Sequence, residues 1–171
     1  MPGYGLPRGR KGLLPWTWGE RRLRRSHNYW LTTVRPDGTP HVMPVWGLWV
    51  DGRFYFSTGR ESRKARNLAS NAACVVCTEQ SAEAVIVEGT AAELKDPSLF
   101  KRLAPLYHRK YTPWKLDHDL GPVFEVRPRV IFGLRERTFE AATRWIVDAL
   151  RGTRDESKTA RTSSDLHRRP R

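Results

Sequence analysis

The sequence predicts a mainly β protein, a closed antiparallel barrel of six to seven short strands with brief helices between them. Three observations lead there: runs of aromatic and β-branched residues recur at short intervals, turn signals separate them, and helical periodicity is confined to short stretches. NYWLTTVR (28–35), HVMPVWGLWV (41–50) and RFYFST (53–58) are joined by PDG (36–38) and DG (51–52), which together read as a β-meander.

The remaining elements follow in order. Thr17 and Glu20 have the spacing of a capping box, which opens a basic helix running to about Ser26. After the third strand, ESRKARNLAS (61–70) sets Ala65, Leu68 and Ala69 on one helical face. AACVVCT (72–78) and AVIVEGTAAEL (84–94) are strands, and Gly89 inside the second marks a bulge or barrel corner. Asp96 as N-cap and Pro97 at the first helical position open a helix over 96–111, interrupted by Pro105. The linker TPWKLDHDLG (112–121) leads to two further strands, VFEVRP (123–128) and RVIFGLRER (129–137). The closing segment has two readings: Phe139, Ala142, Ile146, Ala149 and Leu150 keep a helical period, whereas Thr143 to Val147 suit a last barrel strand.

At 171 residues the chain is long enough for one domain with a core that needs no staples. A basic arm and short helix (1–26) precede the barrel (27–150), and a polar basic tail (151–171) without aromatic residues follows, expected to be disordered. Mean hydropathy of −0.63 and the lack of a long apolar run exclude a helical membrane protein. The N-terminus offers only Leu13 and Leu14 where a signal peptide needs a sustained apolar region, so the expected location is the cytoplasm. The net charge of +13 sits mainly at the ends: +6 in 1–25 and +4 in 151–171, against +3 in 26–150. Contact with nucleic acid would therefore rest on the terminal arms alone, with solvated tails as the plainer reading. Cys74 and Cys77 lie three apart on a strand, so their sulfurs point to opposite faces and read as small hydrophobes rather than a redox pair or a metal site.

No GxGxxG follows a strand, and no Walker loop, GxSxG or HExxH is present. The most informative stretch is YFSTGRESRKARNL (55–68), where a strand ends in Ser57 and Thr58 and a helix begins near Ser62 with Arg63 and Lys64 in its first turn. Cations there oppose the helix macrodipole by roughly 0.3–1 kcal/mol each at exposed sites. Either Glu61 and solvent offset them, or an anion is seated between the two cations, the free N–H groups and the hydroxyls of Ser57, Thr58 and Ser62.

The order of HVMPVW (41–46), ST (57–58), SRKARNL (62–68) and VIVEGTAAEL (85–94) resembles the pyridoxamine-phosphate oxidase-like family of flavin-binding split barrels over about residues 25–150. The resemblance implies that Arg63 and Lys64 bind a cofactor phosphate, with Ser57, Thr58 and Ser62 beside it. It also places His41, Val42, Met43, Pro44, Val45 and Trp46 along the flavin ring. Two departures separate the chain from the vitamin oxidases: Trp46 stands where they have a lysine that helps to hold the substrate's phosphate, and their C-terminal substrate motif is missing. PVWGLWVDG (44–52) and FGLRERTFEAATRW (132–145) look more like the branch that uses an 8-hydroxy-5-deazaflavin of the F-420 type.

The expected cofactor is thus a deazaflavin of the F-420 type or FMN, and the expected function hydride transfer to a small unsaturated or quinone-like substrate. The alternative is a non-catalytic carrier or sensor with the same pocket, and a third reading is a general-stress or nucleic-acid-associated protein. Because such a cofactor brings its own chemistry, no catalytic acid, base or metal site is assigned. Lys115 and Arg144 are candidates for further anionic contacts, and Trp46 and Trp145 for walls of a ring site or for core. His118 in DHD (117–119) and His108 read first as parts of a polar surface loop, and as candidate ligands only because relatives of the family bind haem. The family also implies a homodimer with cofactor sites at its interface.

Overall fold

A computed structural model describes residues 13–117 and 119–147. The polar tail and most of the basic arm lie outside the described residues, as does His118. The first helix, α1 (Trp16–Arg25), leads into β1 (Asn28–Val34), β2 (Pro40–Val50) and β3 (Arg53–Ser57). Then come α2 (Arg63–Ser70), β4 (Ala73–Thr78), β5 (Val85–Glu93), α3 (Pro97–Tyr111), β6 (Val123–Gly133) and β7 (Thr143–Ile146). The sheet runs β3-β2-β1-β4-β5-β6-β7, and pairing of β3 with β6 closes β1 to β6 into an antiparallel barrel, leaving β7 as an extra strand on β6. No helix among the described residues is long and apolar enough to cross a membrane.

The hairpin signals act as their chemistry requires. Asp51 (φ 50°) and Gly52 (φ 76°) both take left-handed backbone, the geometry of a tight turn whose twist matches its strands. At Gly89 the register with β6 shifts: Glu88 faces Val130 while Gly89 faces Pro128, so Arg129 is the extra residue of a bulge. A Cβ on Gly89 would lie 2.1 Å from the Arg127 carbonyl oxygen, so only glycine fits. The same bulge corrects the expectation of two strands over 123–137. Pro128 lacks an N–H, but the ladder is already interrupted there, and β6 continues through it as one strand.

Two other expectations change. α1 is not opened by a capping box: Pro15 occupies the N-cap position without a side-chain cap, Thr17 lies inside the first turn, and Glu20 pairs instead with Arg24 at 3.1 Å. The closing segment is a strand over Thr143–Ile146, because Thr143 and Trp145 turn inward while Arg144 and Ile146 turn out, a period of two rather than 3.6. Cys74 and Cys77 do face opposite sides of β4. Cys74 belongs to the core, and burial pushes its thiol up to about 12.

The core has two compartments. Inside the barrel, Tyr29, Leu31, Phe54, Phe56, Val76, Val85, Val87, Val126 and Ile131 are almost wholly inaccessible. Outside it, α3 lies across β2 and β3 and buries Leu103, Tyr107 and Tyr111 against Leu48 and Tyr55. Burying a side chain such as Leu103 is worth roughly 1.5–3 kcal/mol over exposure, which fixes α3 firmly enough to serve as a wall.

Candidate functional site

A cleft of about 350 Å³ opens where the end of β3, the start of α2 and the middle of β2 approach α3. Ser57, Thr58 and Lys64 line one side, Asn28, Trp46 and Tyr107 the other, and Pro44 and Val45 lie along β2 between them.

The polar side is built by the strand-to-helix turn. Ser62 caps α2, its Oγ accepting from the Ala65 N–H at 3.2 Å, and it also accepts from the Thr58 hydroxyl at 3.0 Å. The Thr58 hydrogen and both Ser62 lone pairs thus serve the turn, which leaves the Ser57 and Ser62 hydroxyl hydrogens and the Arg63 and Lys64 backbone N–H groups as donors for an anion. Lys64 is half-buried, and burial lowers its pKa below the ordinary lysine value. Among the described residues neither Arg63 nor Lys64 has a carboxylate within salt-bridge distance. A half-buried ammonium in a helix turn that itself favours negative charge is a cost, and no carboxylate among the described residues offsets it. Arg63 is exposed at the same turn and does not line the cleft.

His41 stands close enough to feel these cations. Burial first, and then the fields of Arg35, Lys64 and Arg63, hold its imidazole below the ordinary pKa, so it is neutral near pH 7. Along β2, Val42 and Met43 are 53% and 43% exposed, Pro44 and Trp46 line the cleft, and the Val45 side chain turns into the barrel core, leaving its backbone to the cleft.

The aromatic side is held rigidly. The Trp46 indole N–H donates to Asn28 Oδ1 at 3.1 Å, and Asn28 is itself fixed by Glu79, which accepts from its backbone N–H and its Nδ2. Trp46 stacks on Tyr111 with centroids 5.0 Å apart and planes at 11°. The next residue, Gly47, is pinned on both polar groups: its N–H donates to Tyr111 Oη at 2.8 Å, and its carbonyl accepts from Lys110 Nζ at 2.9 Å. Lys110 also donates to Tyr29 Oη at 2.9 Å, and burial lowers its pKa to about 8.

Asn28 and Tyr107 escape sequence reasoning: Asn28 reads as a strand's first residue and Tyr107 as part of the apolar face of α3. Trp145 lies in the core, its ring 5.4 Å from that of Trp16 and away from the cleft. Lys115 and Arg144 are exposed outside the cleft lining, and the His108 ring nitrogen Nδ1 lies 3.1 Å from the Trp114 carbonyl oxygen. Among the described residues no group of three or more His, Cys, Asp or Glu is arranged to hold a metal ion.

The small split barrel thus carries a cleft that is cationic and hydroxyl-rich on one side and aromatic on the other. Residues 20–135 match the sequence profile of the family described as pyridoxamine 5'-phosphate oxidase, and the chain belongs to that flavin- and deazaflavin-binding family. No curated protein matches the sequence. Among solved structures, an F-420 reductase is 26% identical, with 66% of this chain and 94% of that one covered and a TM-score of 0.54. A conserved hypothetical protein from Mycobacterium tuberculosis is 20% identical, covering 77% and 91% with a TM-score of 0.65. A heme-binding protein from Mycobacterium smegmatis is 16% identical, covering 80% and 60% with a TM-score of 0.61. The last two are likenesses of fold.

Proposed function

We propose that the protein is an oxidoreductase that binds a phosphate-bearing flavin or deazaflavin, of the FMN or F-420 type, and delivers a hydride to a small unsaturated or quinone-like acceptor. The observation that carries this reading is Lys64: a half-buried ammonium on the cleft wall, without a carboxylate partner among the described residues, beside Ser57 and Thr58. A phosphate seated there would draw charge-assisted hydrogen bonds from Lys64, from Arg63 at the rim and from the first turn of α2. The residues present therefore fit the anionic end of such a cofactor. Pro44, the Val45 backbone and Trp46 would lie along its ring, whose own chemistry supplies hydride transfer.

The remaining work falls to the protein's own groups. Trp46 and Tyr107 exclude water from the aromatic side, and neutral His41 adds no charge beside the cations at pH 7. Trp46 also argues against vitamin oxidation, since an indole cannot hold a substrate phosphate as a lysine does. The 26% identity with an F-420 reductase supports the deazaflavin.

The reading includes a homodimer. Trp30 and Val42, 47% and 53% exposed, belong to one outer face of the barrel, because Trp30 pairs with Pro44 and Thr32 with Val42. A second copy would cover that face, and light scattering coupled to size exclusion tests it.

Mass spectrometry of ligand released from purified protein, with FMN, FAD and F-420 titrated into the stripped protein, tests the cofactor. Micromolar or tighter binding of FMN or F-420 is expected, and no binding below about millimolar, a difference of at least 4 kcal/mol, would overturn the reading. Oxidation of the reduced cofactor by menadione then separates an enzyme, which accelerates it, from a carrier, which does not.

A further inference from the structure

One carboxylate holds the aromatic side of the cleft without lining the cleft itself. Glu79 follows β4 directly and lies outside the cleft lining. Tyr29 pairs with Thr78 across β1 and β4, and Asn28 pairs with Trp46 across β1 and β2, so Glu79, Asn28 and Trp46 form a row over three neighbouring strands. Glu79 Oε1 accepts from the His27 N–H at 2.8 Å, and Oε2 accepts from both the backbone N–H and the Nδ2 of Asn28 at 3.1 Å. On its other side, Asn28 Oδ1 accepts from the Trp46 indole N–H at 3.1 Å. Burial would raise the Glu79 pKa, but the hydrogen bonds from His27 and Asn28 outweigh it and hold the carboxyl below its ordinary value. The group is therefore ionised near pH 7 and can only accept.

The oxygen and nitrogen ends of an amide have nearly the same shape, so its neighbours decide which way it faces. At Asn28 a carboxylate that only accepts stands on one side and an indole N–H that only donates on the other, and a single orientation satisfies both. Stacking on Tyr111, with planes at 11°, restrains the tilt of Trp46 but leaves the indole free to slide and turn within its plane. The directional bond to Asn28 removes that freedom. We infer, on the cofactor reading proposed above, that Glu79 is a positioning residue for the cofactor's ring: it sets the Asn28 amide, which in turn holds the Trp46 indole that the ring lies along. A wall fixed before binding need not be ordered when the ring arrives, so the effect belongs in cofactor affinity and not only in stability.

The test is titration of FMN and F-420 into full-length, stripped wild type and into its Glu79→Met, Trp46→Phe and Glu79→Met/Trp46→Phe variants, with urea unfolding of each. Methionine keeps the length of the glutamate and removes both acceptor oxygens. Phenylalanine keeps an aromatic wall and removes the N–H that Asn28 holds. Glu79→Met is expected to weaken the tighter of the two cofactors about tenfold when Trp46 is present, and by less than about twofold in the Trp46→Phe background. An equal loss in both backgrounds, or unchanged affinity with only a loss of stability, overturns the positioning role. Asn28→Ala repeats the cycle at the middle of the row and decides by the same criterion if Glu79→Met does not fold. A loss in Asn28→Ala that persists in the Trp46→Phe background gives Asn28 a contact of its own with the cofactor and overturns the role too. If wild type binds neither FMN nor F-420, the cofactor reading falls and the positioning role with it, whereas binding by wild type without the coupling refutes the positioning role alone.

Discussion

The two sides of the cleft are made of opposite materials, and they relate differently to the fold. On the α3 side, Trp46 stacks on Tyr111, Tyr107 packs against Tyr111 at a tilt, and the three are continuous with a buried cluster around Leu103. On the α2 side, Arg63 and Lys64 have no carboxylate partner among the described residues and sit where a helix disfavours cations. The first side contributes to stability whether or not anything is bound. The second places two cations at a helix end that itself favours negative charge, and contributes less to the fold.

The largest effect should follow from cutting into the α3 side. Leu103→Ala removes a side chain with no exposed surface and is expected to cost about 2–5 kcal/mol in urea-induced unfolding. A loss below about 1 kcal/mol would mean that α3 is not the rigid wall described. Tyr111→Phe leaves the Gly47 N–H without its 2.8 Å partner and should cost about 1–3 kcal/mol. It should also change Trp46 fluorescence, because the flanking peptide loses its anchor.

Lys110 gives a pH-dependent test on the same side. Its folded pKa of about 8 lies below the ordinary value of 10.5, so the folded state binds fewer protons than the unfolded state between those values. Its contribution to stability therefore rises as pH increases from about 8 towards 10.5 and is least favourable below pH 8. The stability of wild type minus that of Lys110→Met should increase from pH 7.5 to 10, and a flat difference would refute the assignment. The smallest effect belongs to the exposed ion pair of Arg102 with Asp51: Arg102→Ala should change stability by only about 0–1 kcal/mol.

Sequence patterns made the strands and both hairpins legible because alternation and turn chemistry are local. The bulge was legible at Gly89 but not at Pro128, since only the facing strand reveals that the two meet. On the cleft, Ser57, Thr58 and Lys64 were named through the family resemblance, since the helix dipole alone left solvent and an anion as equal readings. Of the aromatic side only Trp46 was named: Asn28 and Tyr107 come from two other elements, and only the folded barrel with α3 brings them to it. The capping box failed for a related reason. Thr17 and Glu20 have the right spacing, but Pro15 sets the start of the helix first.

The central claim is that the Arg63–Lys64 side binds a cofactor's phosphate. It is tested most directly by titrating FMN and riboflavin, which differ by that phosphate, into stripped wild-type protein and the Arg63→Ala/Lys64→Ala double variant. Two charge-assisted contacts at about 1.5–3 kcal/mol each predict that wild type prefers FMN by a hundredfold or more and that the double variant loses most of this preference. Equal affinity of wild type for both compounds, or an undiminished preference in the double variant, would contradict it.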